Sequence, residues 1–129
     1  MISYKRDTFI DEQLIDISRK TKMDHVDVSR VVALRSFGTK SRRIIARCHV
    51  LSRAFQEALG LDTHYVIEVI SEQYDRLSEE EKTKTLIHEL MHIPKAFGGG
   101  FRHHDHVTRR NVDKLYRIYL QNSILPSLE

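Results

Sequence analysis

Apolar residues recur along the chain at two periods, near four in some stretches and near two in others. From Thr8 to Lys20, Ile10, Leu14 and Ile17 share the spacing of one helix face, with Thr8 as cap and Asp11 and Glu12 in the first turn. Val26 to Arg35 is Val-rich and predicts a strand. Ser36 to Ser41 predicts a turn around Gly38, and Ile44 to Cys48 a short second strand. Val50, Leu51, Ala54, Phe55, Ala58 and Leu59 return to helical spacing, stopped by Gly60. Tyr65 to Ile70, YVIEVI, is the clearest strand: short, β-branched and aromatic. Ser78-Glu79-Glu80-Glu81 has the form of a capping box and opens a helix with Leu86, Ile87, Leu90 and Met91 on its apolar stripe. Pro94 should end that helix near His92 or Ile93. Gly98, Gly99 and Gly100 allow a sharp turn, and a last helix follows from about His106 to Leu120. The predicted order is α-β-β-α-β-α-α, an α+β fold with a small mixed sheet packed on helices.

Composition narrows this picture. At 129 residues, the chain is expected to form a single domain over residues 1–129. With 40% hydrophobic and 30% charged residues it is too apolar for a disordered tail. No apolar run approaches the ~18 residues of a membrane span. The first twenty residues lack the apolar core of a signal peptide. Cys48 is the single cysteine, which excludes an internal disulfide and a multi-cysteine metal site. A soluble, cytoplasmic protein is expected. The net charge of +3 conceals two blocks. Between Val28 and Gln56 stand Arg30, Arg35, Lys40, Arg42, Arg43, Arg47 and Arg53 with no acid. Between Glu68 and Glu81 stand six acids against one Arg. The basic stretch from Arg30 to Arg53 suggests weak nucleic-acid contact as an accessory property, alongside the plainer reading of a solvated surface.

The chemistry is concentrated in His88-Glu89-Leu90-Met91-His92. Residues four apart on a helix lie one turn apart on nearly the same face, so His88 and His92 can grip one cation. Glu89 is rotated by about 100° from His88, which suits a base acting on a bound water better than a third ligand beside them. A catalytic zinc takes three protein ligands and one water. After His92 the only Glu is Glu129, and the positions three and six residues on hold Lys95 and Gly98. What remains for a third ligand is the run His103, His104 and His106, just past the glycine turn.

These segments resemble short, single-domain metallopeptidases of archaea and phages. The resemblance runs from about Asp27 to Tyr116 and is carried by DVSRVVALRSFGTKS and by YVIEVISEQYDRLSEEEKTKTLIHELMHIPKAFGGGFRHHD. In that family the segment after the turn usually reads Arg-Pro-His or Arg-x-His, which Arg102-His103-His104 matches. The resemblance therefore implies His104 as third ligand. More distantly, the layout resembles the SprT-like minimal zinc peptidases and implies a zincin-like fold. In zinc peptidases of this shape, the strand before the metal helix often forms the edge that binds an extended peptide. Here that strand is Tyr65 to Ile70.

The reading that follows is a zinc metallopeptidase acting on a peptide or protein substrate. One Zn²⁺ would be held by His88, His92 and His104, with Glu89 as general base. The alternative is a zinc-stabilised nucleic-acid or protein binding module, its site closed by a fourth ligand such as His103 or His106. His25, His49 and His64 read as structural or surface histidines, and Cys48 as a core residue. Asp105 reads as the cap of the last helix, with orientation of a ligand imidazole as its rival role. Arg102, Tyr116 and Tyr119 are candidates to stabilise an oxyanion.

Overall fold

The computed structural model describes residues 1–102 and 106–124, and its chain opens on a strand that no apolar pattern announces. Ser3–Arg6 (β1) is exposed throughout and pairs along one side only. Helix α1, Thr8–Lys20, is capped one residue earlier than expected: the Asp7 carboxylate accepts the Ile10 N–H at 2.9 Å. Its buried face is Ile10, Leu14 and Ile17.

The next strand starts later than its Val-rich stretch suggests. The Asp27 carboxylate accepts the Ser29 N–H at 3.1 Å and the Ser29 hydroxyl at 2.6 Å, folding Val28–Arg30 into a 3₁₀ turn. Strand β2 is then Val31–Phe37, and β3 is Ala46–Val50. Helix α2, Arg53–Leu59, is capped by Ser52 and ended by Gly60 at φ 65°. Its predicted apolar face is not buried: Phe55 and Leu59 are 59% and 62% exposed, and Val50 belongs to β3. Strand β4, Tyr65–Ile70, falls where the pattern put it. A short helix α3, Ser71–Tyr74, leads to α4, Glu79–Met91, and the last helix is α5, Arg109–Ile124.

The sheet order is β1-β2-β4-β3, with β2 and β4 parallel and the outer strands antiparallel to them. β4 is thus an interior strand, which corrects the expectation that Tyr65 to Ile70 forms the edge. Its near-continuous apolar run fits burial on both faces. Tyr65, Ile67 and Val69 pack with Ile10, Leu14 and Ile17 of α1 and with Leu86, Ile87 and Leu90 of α4 in one core. Full burial of Leu86, Ile87 and Leu90 is worth roughly 2 kcal/mol each. On the other face Glu68, 3% exposed, meets His49 of β3 at 2.7 Å. The edge nearest α4 is β3. Ile45 and Leu51 bond inward to Ile70 and His64, so by alternation the N–H and C=O groups of Ala46, Cys48 and Val50 point away from β4. No described helix is long and apolar enough to cross a membrane.

Candidate metal centre

Helix α4 carries the predicted pair on an ordinary amphipathic frame. Ser78 caps it, its hydroxyl accepting the Glu81 N–H at 3.2 Å, and Pro94 follows its last turn. Leu86, Ile87 and Leu90 hold it on the sheet, which leaves His88 and His92 half-buried on a neighbouring face. Their Nε2 atoms stand 3.3 Å apart, with ring planes at 70°.

The His92 ring is oriented from behind. Its Nδ1 lies 2.8 Å from the Arg102 carbonyl oxygen. A carbonyl only accepts, so Nδ1 carries the proton, which leaves Nε2, the nitrogen facing His88, as the one that can offer a lone pair. The Arg102 N–H in turn donates to the His92 carbonyl at 2.8 Å. Arg102 is brought there by the glycine turn, where Phe97 has φ 50° and Gly99 φ 99°. Tyr65 holds this turn from inside the core: its hydroxyl donates to the Gly100 carbonyl at 2.8 Å and accepts the Gly99 N–H at 3.2 Å. Its ring packs edge-on against Phe97 and Phe101. No local pattern marks Tyr65 for this task, because the segments it joins lie more than thirty residues apart.

Glu89 is 7% exposed, and burial raises its carboxyl to about 7. It shares with His88 a cleft of about 510 Å³ between β3, α4 and α5. The strand side of the cleft is Ile44, Ile45 and Ala46; Arg43, Lys84 and Arg109 bring positive charge, and Glu81 and Asp113 negative. Lys84 and Arg109 were not singled out from the sequence, where neither has a motif. Cys48 packs against the core, and its thiol is pushed up to about 12 by burial and by the charge of Glu89.

His104, the implied third ligand, lies outside the described residues, as do His103 and Asp105. No cluster of three or more metal-donor side chains forms among the described residues. The α5 cap is Thr108, whose hydroxyl accepts the Asn111 N–H at 3.2 Å, so the helix starts later than His106. His106 and Arg102 line a second cavity rather than the cleft. Tyr119 donates to Asp16 of α1 at 2.9 Å, and the Tyr116 ring lies under Lys84. His25 bonds the Ile93 carbonyl at 3.2 Å, and His64 the Asp62 carbonyl at 2.8 Å. The basic stretch is divided: Arg30 pairs with Asp27, and Arg35 with Asp7 and Asp75, while Lys40, Arg42 and Arg43 make no ion pair among the described residues.

A sequence model of the family described as "Putative phage metallopeptidase" matches residues 2–122. No curated protein and no solved structure matches the chain.

Proposed function

The chain belongs to this phage metallopeptidase family, and from that premise we propose that it hydrolyses peptide bonds with a zinc ion held by His88, His92 and His104 and with Glu89 as general base. The observation that carries the reading is the His88–His92 pair. Two nitrogens bound at ~2.0–2.1 Å to a tetrahedral zinc stand about 3.3 Å apart, and the two Nε2 atoms are 3.3 Å apart. The donor set therefore fits the ion. Zinc bound there supplies a Lewis acid and lowers the pKa of a coordinated water towards ~7.

The chain's own groups do the rest. Arg102 fixes the tautomer and direction of His92, as carbonyl partners of ligand imidazoles do. Glu89 takes the proton of the attacking water and passes it to the leaving amine. The outward N–H and C=O groups of Ala46 and Cys48 offer an extended peptide a strand to pair with, along a cleft that ends at His88 and Glu89. Main-chain pairing of that kind binds with little sequence preference. Substrate register therefore comes from β3, not from the interior strand β4.

The test is metal analysis of the purified protein together with cleavage of an unfolded protein substrate, with and without a chelator. One zinc per chain and chelator-sensitive cleavage, lost in Glu89→Gln, are expected. Retained zinc with no cleavage by the wild type favours the binding-module reading instead.

A further inference from the structure

The cleft has a counterpart on the other side of α5. Arg109, Val112 and Asp113 face the cleft, whereas Asn111, Lys114 and Leu115, about half a turn round the helix, face a second cavity of about 320 Å³. The charge of its described lining has one sign. Lys22, Lys95, Arg102 and Lys114 line it, and no Asp or Glu is among its described lining residues.

None of these four makes an ion pair among the described residues, and the contrast within the molecule is direct. Arg30 and Arg35 are half-buried and each bonded to aspartate, at 2.9 Å for Arg30 and at 2.7 and 3.0 Å for Arg35. Arg102 is half-buried, and no acid among the described residues pairs with it. Lys22, Lys95 and Lys114 are exposed at the cavity rim, and like charges gathered around one cavity raise one another's energy unless an anion lies between them.

Lys22 adds an independent sign. It follows α1 at φ 59°, with its N–H on the Arg19 carbonyl at 3.2 Å and the next N–H, that of Met23, on the Ser18 carbonyl at 2.9 Å. This is the helix-ending position that favours glycine, yet it holds a lysine, and that lysine lines the cavity. The positive field also reaches His25, which lines the same cavity and bonds the Ile93 carbonyl. Its pKa lies below the usual value through burial first and then through Arg102 and Lys95, opposed by the Ile93 carbonyl and by Asp24.

We propose that this cavity binds a tetrahedral dianion of the phosphate class, inorganic or as a monoester, between Lys22, Lys95, Arg102 and Lys114. Several converging cations suit a dianion with several acceptor oxygens better than a lone carboxylate. Met91 and Leu115 give the wall an apolar side on which the carbon body of an ester would rest. Arg102 also holds His92 through its main chain, so the cavity and the candidate metal centre share a residue.

The 129-residue protein is titrated with sulfate, which holds zinc weakly, and separately with phenyl phosphate and with phenol, at constant ionic strength in chloride. Backbone amide shifts are followed by NMR. Saturable shifts of Lys95, Arg102 and Lys114 are expected with both anions, weakened at least about tenfold in the Lys95→Gln, Lys114→Gln double variant. An Arg76→Gln variant, at an exposed position away from the cavity, should bind as the wild type does. Phenyl phosphate binding well above sulfate assigns the site to monoesters, and equal binding assigns it to the inorganic dianion. The proposal is overturned by the absence of saturable shifts, by equal binding of phenol, or by undiminished affinity in a folded double variant.

Discussion

His92 and Arg102 are joined twice: the Arg102 N–H donates to the His92 carbonyl, and the Arg102 carbonyl accepts from His92 Nδ1, both at 2.8 Å. One residue of the loop thus fixes both the end of α4 and the ring of its second histidine. His104, the proposed third ligand, follows only two residues later in the sequence.

His88→Ala and His92→Ala should each lose stoichiometric zinc. Each removes one of the two nitrogens set 3.3 Å apart. A loss of at least about a hundredfold in affinity, on the order of 3 kcal/mol, is expected. Elemental analysis after dialysis reads it directly, and a full zinc complement in both variants would remove the assignment.

Among His103→Ala, His104→Ala and His106→Ala, the large loss of zinc affinity should belong to His104→Ala alone. The same order of magnitude, about a hundredfold, is expected. Competition with a chromogenic chelator measures it. A near-wild-type affinity in His104→Ala, with the loss at another position, moves the third ligand there.

Glu89→Gln should keep zinc and lower hydrolysis by about 10²–10⁴-fold, the usual contribution of a positioned base. It should also change the stability of the metal-stripped protein. The carboxyl of Glu89 stands at about 7 in the folded chain against 4.5 in a free one. The folded state therefore holds the proton over a range in which the unfolded state has released it. Its contribution is most favourable below about pH 4.5 and is lost as pH rises towards 7, by about 3 kcal/mol in all. Urea denaturation of chelator-treated protein should find the Gln variant gaining on the wild type across that interval, with no further gain above it.

Tyr65→Phe should leave the ring contacts with Phe97 and Phe101 in place and remove the two hydroxyl bonds to the glycine turn. A destabilisation of about 1–3 kcal/mol follows from losing two part-buried hydrogen bonds at about 0.5–1.5 kcal/mol each. Zinc affinity should fall as well, because the turn delivers Arg102 to His92. Stability lost with zinc affinity unchanged would limit Tyr65 to the core.

Lys40, Arg42 and Arg43 are the part of the basic stretch on which weak nucleic-acid binding should depend. Replacing all three with Gln should reduce the salt dependence of binding, as fewer counterions are released. Arg30 and Arg35, tied to aspartates, should contribute little. Fluorescence anisotropy with a labelled oligonucleotide at several salt concentrations decides it, and an unchanged salt slope in the triple variant sinks the assignment.

Helix α4 was legible from sequence because everything that defines it is local. Ser78 caps its own first turn, Leu86, Ile87 and Leu90 share a face by spacing alone, and Pro94 stops the helix through its own ring. The geometry of four residues on one helix then sets His88 and His92 together, whatever packs around them. The same locality placed β4 within its true bounds but could not show which strands would flank it. β1 carries no apolar alternation, since an exposed edge strand needs none, so its pairing with β2 left no trace in the pattern. Only the tertiary structure decided that β3 is the edge beside the cleft. Only there do Tyr65 and Gly100, or Arg35 and Asp75, meet across long stretches of chain. Periodicity records the face a residue turns to the core. It does not record which distant residue waits there, because that partner is chosen by how the layers close on one another.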